Sequence, residues 1–304
     1  MTKWTTRQMP DQHNRVAIVT GANSGLGYET SRALAEKGAI VIMACRNQQK
    51  GQTALDKIQS QHPNATLELL MLDVSNLDSV RQFVATFREK YDRLDMLINN
   101  AGVMMIPERR ETVDGFEMQF GTNHLGHFAL TGLLLDIILN TGDARIVSVS
   151  SVAHQRGRIN FDDLNAQQSY NPNSAYGQSK LANLLFTYEL QRRLEKSGSS
   201  VTATVAHPGW TATNLQQHSG FFRFFNPIIG QGSDMGALPI LYAATASNVQ
   251  GGDFYGPDGF MGMRGYPKKV ESSERSHDRD VAAKLWDVSE QLTGVTYEFD
   301  LSVT

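Results

Sequence analysis

The sequence has a single cysteine, Cys45, so no internal disulfide can form. No Cys/His cluster has the spacing of a zinc site either, which fits a reducing compartment, and the cytoplasm is the expected location. Long apolar runs are scarce. The N-terminal MTKWTTRQMPDQHNR lacks the continuous apolar stretch of an export signal, and FALTGLLLDIIL is interrupted by Asp136 and too short to cross a bilayer. No integral membrane anchor is expected. An excess of positive charge is missing as well: 28 Lys and Arg against 31 Asp and Glu give a formal net charge of −3, with no basic stripe to follow a phosphate backbone. Nucleic acid is not an expected partner.

What is present is ample material for a buried core, since 40% of the 304 residues are hydrophobic. After a polar N-terminal extension, residues 1–14, the β-branched run RVAIVT stops at glycine and is followed by the helical pattern YETSRALAEKG. The same rhythm returns in AIVIMAC with a helix ending near Ser60, and in LELLML with the amphipathic LDSVRQFVATFREKY. LDMLINN and ARIVSVSS are further strands, separated by a helical segment expected from about Asp114 to Leu139, and VTATVAHPG follows one more helix. Apolar strands alternating with helices predict an α/β fold, a Rossmann-type doubly wound parallel β-sheet with helices on both faces, in a single domain spanning 1–304. The rhythm holds to about residue 209. Beyond it, an aromatic and glycine-rich stretch of roughly 210–233, containing FFRFFNP, reads as a substrate-binding loop or lid, with a membrane-surface patch or partner site as alternatives. The final helix, DVAAKLWDVSEQL, is expected to end at Gly294.

The first turn reads TGANSGLG, residues 20–27. Glycines at 21, 25 and 27 allow the backbone to approach a pyrophosphate, and the following helix N-terminus attracts that anion. Its position between a strand and a helix favours a dinucleotide site over a plain tight connection. No Gly-Lys-Ser/Thr sequence follows, against a triphosphatase loop. The second strand ends ACRN, not in the acid that would bond a free ribose. Arg46 can grip a 2′-phosphate there, so NADP(H) is preferred and NAD(H) is retained as the lesser reading; the alternative is that Arg46 only begins a helix in solvent. Asp73, with Val74, can accept from an adenine amino group or cap a helix.

Together these motifs resemble the short-chain dehydrogenase/reductase family over almost the whole chain. TGANSGLG fits its TGxxxGxG turn, NNAG at 99–102 its fourth-strand motif, and YGQSK, with Tyr176 and Lys180, its catalytic YxxxK. Asn123 in FGTNHLGHF and Ser151 in VSVSSVAH resemble its catalytic asparagine and serine, and HPGWTAT at 207–213 its segment around the nicotinamide. ACRN, NHLGHF, SSVAH, SKLANLLF and HPGWTATNL resemble most the retinol dehydrogenase and WW-domain oxidoreductase branch. The resemblance implies catalytic Asn123, Ser151, Tyr176 and Lys180. It also implies cofactor contacts from Gly21, Asn23, Ser24, Gly25, Leu26, Gly27, Arg46, Asp73, Val74, Asn100, Ala101, Gly102, Tyr176, Lys180, Pro208, Gly209 and Thr211. Two departures stand out: Ser24 replaces the basic residue that many NADP-dependent members carry in the turn, and the membrane segment of many animal retinol dehydrogenases is missing.

Within that frame the Tyr-x-x-x-Lys spacing acquires a reason. A phenol of ordinary pKa near 10 is a poor acid–base partner at neutral pH, and a lysine one helical turn away favours its charged form. Ser151 would hold the substrate oxygen beside Tyr176, with Ser150 as the alternative given strand alternation. By resemblance, Lys180 would bond the nicotinamide ribose and Asn123 would hold a water linking Lys180 to solvent; a buried asparagine satisfying backbone groups is the plainer reading. His124 and His127 read as helix packing or capping, and no metal is expected. The expected function is oxidoreduction of a small apolar alcohol, aldehyde or ketone by a homodimer or homotetramer. A non-catalytic NADP(H) sensor or interaction protein is the alternative, and an epimerase or dehydratase is disfavoured.

Overall fold

The computed structural model describes residues 3–210, 231–259 and 262–299. Eight strands form one sheet in the order β3-β2-β1-β4-β5-β6-β7-β8. In chain order they are β1 (Val16–Thr20), β2 (Ile40–Cys45), β3 (Thr66–Met71), β4 (Met96–Asn99), β5 (Arg145–Val149), β6 (Thr202–Ala206), β7 (Phe254–Pro257) and β8 (Pro267–Lys269). All neighbours are parallel except β7 and β8, with Val16 opposite Ile40 and Ala17 opposite Met96. The parallel doubly wound reading is therefore correct. Its order reverses beside β1, which opens a crevice between the carboxyl ends of β1 and β4.

Side-chain alternation divides the core between the two faces of the sheet. Val16 and Ile18 of β1 join one cluster, Ala17 and Val19 the other. On the first face lie Phe83 and Phe87 of α3 (Leu77–Arg88), Phe128 of α5 (Gly126–Leu133), Phe186 and Leu190 of α7 (Pro172–Lys196), and Trp286 of α9 (Arg279–Thr293). The second face is covered by Leu34 of α1 (Gly25–Glu36), Ile58 of α2 (Gln48–Gln61), and Ala237, Ile240 and Leu241 of α8 (Ser233–Thr245). No helix among the described residues is long and apolar enough to cross a membrane.

The helical segment expected from Asp114 begins later and is broken. A single turn, α4 (Met118–Phe120), leads into a π-turn over Gly121–Leu125, then α5, then α6 (Leu135–Thr141) after a break at Leu134. Gly115 at φ 82° keeps the chain out of helix before this point. The buried Glu117 carboxylate then accepts the Gln119 and Phe120 N–H groups and starts the turn. Beyond residue 209, β7 and β8 are additions that the glycine-rich pattern did not reveal. Gly294 ends α9 at φ 63°, as its position predicted.

Candidate active site

The turn between β1 and α1 is closed by backbone. Gly21 has φ 69°, and a Cβ on Gly27 would lie 2.4 Å from the Gly21 carbonyl oxygen and 2.7 Å from Asn100 Nδ2. Ser24 occupies the N-cap position of α1 without a side-chain capping bond, whereas Asn47, Asn76, Asn171 and Asp278 cap α2, α3, α7 and α9. First-turn amides with no side-chain cap, behind a strand-end glycine turn too tight for a Cβ, fit a pyrophosphate. Asn23 and Ser24 lie half-buried at the surface of the turn, whereas Leu26 is buried in the core. Cys45 lies beneath it, bonded to the Ala22 and Asn23 amides; burial pushes its thiol up to about 12.

Thr20, which the sequence reading did not single out, ties this turn to the end of β4. Its Oγ1 accepts the Asn100 N–H at 2.9 Å and the Ala101 N–H at 2.8 Å, and Asn100 Nδ2 donates to the Thr20 carbonyl at 2.7 Å. A threonine directly before the turn glycine was the available signal. At the end of β2, the exposed Arg46 has its Nε 4.0 Å from Asp73 Oδ2. Asp73 accepts the Ser75 N–H and hydroxyl at 3.0 and 2.6 Å, while Asn76 caps α3. The helix-cap alternative for Asp73 is thus not taken. Val74 is buried under α5, where Gly126 packs on its carbonyl.

At the end of β5, Ser151 hydrogen-bonds the Tyr176 phenol and accepts the Ala153 N–H at 3.2 Å. Ser150 instead donates to the Lys180 carbonyl at 2.8 Å. The two serines therefore separate as strand alternation requires, with Ser151 beside the tyrosine. Asn171 caps α7 and Pro172 opens it, which sets the helix that carries Tyr176 and Lys180. Burial pushes the phenol up to about 12, opposed by the Ser151 bond, and pushes Lys180 down to about 8.

The Lys180 ammonium donates to the Val149 carbonyl at 3.0 Å and lies 5.8 Å from the centre of the Tyr176 ring. Gly102 lies alongside: a Cβ there would be 2.9 Å from Asn123 Oδ1 and 3.7 Å from Lys180 Nζ.

Asn123 is fully buried in the π-turn. Its amide accepts the Val103 N–H at 2.8 Å and donates to the Val103 carbonyl and Ser179 Oγ, both at 2.9 Å. This is the backbone-satisfying role. Its carbonyl faces His127 Nδ1 at 3.2 Å, and His127 Nε2 lies 2.9 Å from Thr20 Oγ1. A carbonyl can only accept, so the imidazole proton sits on Nδ1 and leaves Nε2 to accept from the Thr20 hydroxyl, whose other acceptor is the Ile98 carbonyl at 3.3 Å. Burial, with the Lys180 charge adding, holds His127 down to about 4, and burial holds His124 down to about 3. Both histidines pack in the core, His124 against Ser289 at 2.9 Å. Pro208 and Gly209 follow β6, with Gly209 N–H donating to His207 Nδ1 at 3.2 Å and the Pro208 carbonyl accepting from Gln231 at 2.7 Å. Thr211 and residues 211–230 of the expected lid, FFRFFNP included, lie outside the described residues.

A glycine turn at the reversal of a parallel sheet, with a serine after β5 and a tyrosine and a lysine on α7, is the architecture of a nucleotide-binding α/β protein. The sequence profile described as short chain dehydrogenase matches residues 15–220, and the chain belongs to that family. Among curated relatives, retinol dehydrogenase 12 of Mus musculus is 40% identical over 97% of this chain and 90% of its own length. Human polyprenol dehydrogenase is 41% identical over 94% and 87%. A solved structure of an uncharacterized Mycobacterium paratuberculosis protein superposes with a TM-score of 0.82 at 45% identity, covering 98% of this chain and all of the other. The chain is thus an oxidoreductase-family protein near the retinol dehydrogenases.

Proposed function

We propose that the protein is a cytoplasmic NADP(H)-dependent oxidoreductase that interconverts an apolar alcohol with its aldehyde or ketone. The reading is carried by one arrangement: Ser151, Tyr176 and Lys180 meet at the carboxyl end of β5, next to the Gly21–Gly27 turn. The names of the relatives, retinol and polyprenol dehydrogenases, support an apolar substrate. The exposed Arg46 at the end of β2 supports a 2′-phosphate.

A nicotinamide bound here supplies the hydride. The chain's own work is to hold and protonate the oxygen. Ser151 orients a carbonyl oxygen toward Tyr176, and the phenol, protonated at neutral pH, gives it a proton as charge develops. Lys180, once its ammonium turns from Val149 toward the ribose and phenol, stabilises the resulting phenolate. With its side-chain amide committed to Val103 and Ser179, Asn123 can hold a relay water only through its main-chain carbonyl.

The test is titration with NADPH and with NADH, followed by tryptophan-to-nicotinamide energy transfer, and then NADPH consumption with a panel of apolar aldehydes and ketones. Tyr176→Phe should abolish turnover and leave NADPH affinity nearly intact. Full activity in that variant, or no binding of either dinucleotide by the unaltered protein, refutes the proposal.

A further inference from the structure

The segment after Gly102 is apolar and irregular, and beyond Val103 it is held by groups with no part in the proposed chemistry. Val103, Met104, Met105 and Ile106 are all half-buried. The segment starts at the catalytic groups, where Asn123 bonds both backbone groups of Val103 and Gly102 lies beside Lys180. It ends where the Tyr170 hydroxyl donates to the Ile106 carbonyl at 2.7 Å, two residues before α7 begins. Tyr170 and Lys180 bracket Tyr176. The segment therefore runs from a residue beside Lys180 to one bonded by Tyr170, the two positions that flank the phenol in sequence.

Midway along the segment, Met105 is held at φ 53°, a left-handed conformation that strains an L-residue other than glycine. The restraint is Gln119, which is fully buried. Its Oε1 accepts the Met105 N–H at 2.8 Å, while Nε2 donates to Tyr170 Oη at 3.1 Å and to the Pro172 carbonyl at 3.2 Å. One carboxamide thus ties the strained residue to the start of α7. A leucine there would pack as well and leave the Met105 amide unpaired, so this polar group specifies a conformation and is not filler.

We propose that Val103–Ile106 is the apolar wall of the substrate site, with Met105 its specificity-determining residue and Gln119 and Tyr170 the positioning residues that fix it. The inference rests on the oxidoreductase reading for placing the substrate at Tyr176. Methionine is unbranched and polarizable, so consecutive methionines accommodate a flexible hydrocarbon chain without demanding one shape. The class selected is a carbonyl or alcohol on a long apolar chain.

The experiment measures dissociation constants of butan-2-one, octan-2-one and dodecan-2-one for the full chain saturated with NADP⁺, a complex that cannot reduce them. Met105→Gly keeps the left-handed backbone without strain and removes the side chain. It should hold or raise the melting temperature, weaken dodecan-2-one about tenfold and leave butan-2-one unchanged. Gln119→Met, similar in shape but without the acceptor, should raise KM for dodecanal while kcat and NADPH affinity hold, and Tyr170→Phe should do so more weakly. Equal effects on short and long ketones, no effect on either, or no ketone binding by the unaltered protein would overturn the wall. Chain-length-dependent binding without any NADPH-dependent reduction would leave the wall standing and overturn the oxidoreductase reading alone.

Discussion

Lys180 Nζ donates to the Val149 main-chain carbonyl at 3.0 Å, tying the helix that carries Tyr176 to the last residue of β5, two residues before Ser151. Asn183 Nδ2 reaches the same oxygen at 3.1 Å. The lysine is therefore a strut between two parts of the site as well as a charge, and it is held at about 8 by burial. Below that pH it is cationic and able to stabilise a phenolate; above it the charge is lost. The reduction rate is expected to fall as pH rises through about 8, a limb that Lys180→Met removes along with most of the turnover. A pH–rate profile at saturating NADPH checks this, and a rate that stays level well into the alkaline range contradicts it.

Arg46 is the cationic group on which the preference for NADP(H) rests. Its loss removes a charge-assisted bond to a 2′-phosphate worth about 1.5–3 kcal/mol, so Arg46→Ala should weaken NADPH roughly 10- to 100-fold. NADH, which lacks that phosphate, should bind as before. Parallel fluorescence titrations of both dinucleotides decide the matter, and equal losses for the two would remove Arg46 from its role.

His154 bridges Ser151 to the C-terminal region. Its Nδ1 lies 2.6 Å from the Ser151 carbonyl and its Nε2 accepts the Ser273 N–H at 3.1 Å, which fixes one neutral tautomer. His154→Phe keeps a ring against Phe254 and strands the Ser273 N–H, while the Ser151 carbonyl keeps the main-chain N–H of residue 154. At about 1–3 kcal/mol for a group left unpaired, the melting temperature should drop several degrees. Turnover should fall with it while NADPH affinity stays unchanged. Calorimetry and steady-state kinetics on one preparation measure both, and unaltered kcat would dismiss the bridge.

Acid should destabilise the fold through its buried neutral histidines. Burial lowers His127 and His207 to about 4 and His124 to about 3, so the unfolded chain binds more protons than the folded one below about 6.5. The stability they contribute is complete above about pH 6.5 and is lost as pH falls through about 4. A series of melting temperatures from neutral to acid pH should decline across that window, and a flat series would mean these rings are not buried neutral in solution.

The alternation of Val16, Ala17, Ile18 and Val19 already determined that β1 has two buried faces, and the glycines after it located the crevice, because side-chain period and backbone freedom are local properties. The YGQSK spacing likewise put Tyr176 and Lys180 on one helix face from the sequence alone. Tertiary structure alone decided where the Lys180 ammonium points, since its partner is a carbonyl thirty-one residues away. The same is true of Thr20 locking the end of β4, His127 facing Asn123, and Gln119 straining Met105. A motif can name such a residue, as YGQSK names Lys180, without saying which distant group it meets. Each of these is a polar side chain that burial obliges to find a partner, and which partner it finds depends on how distant segments pack.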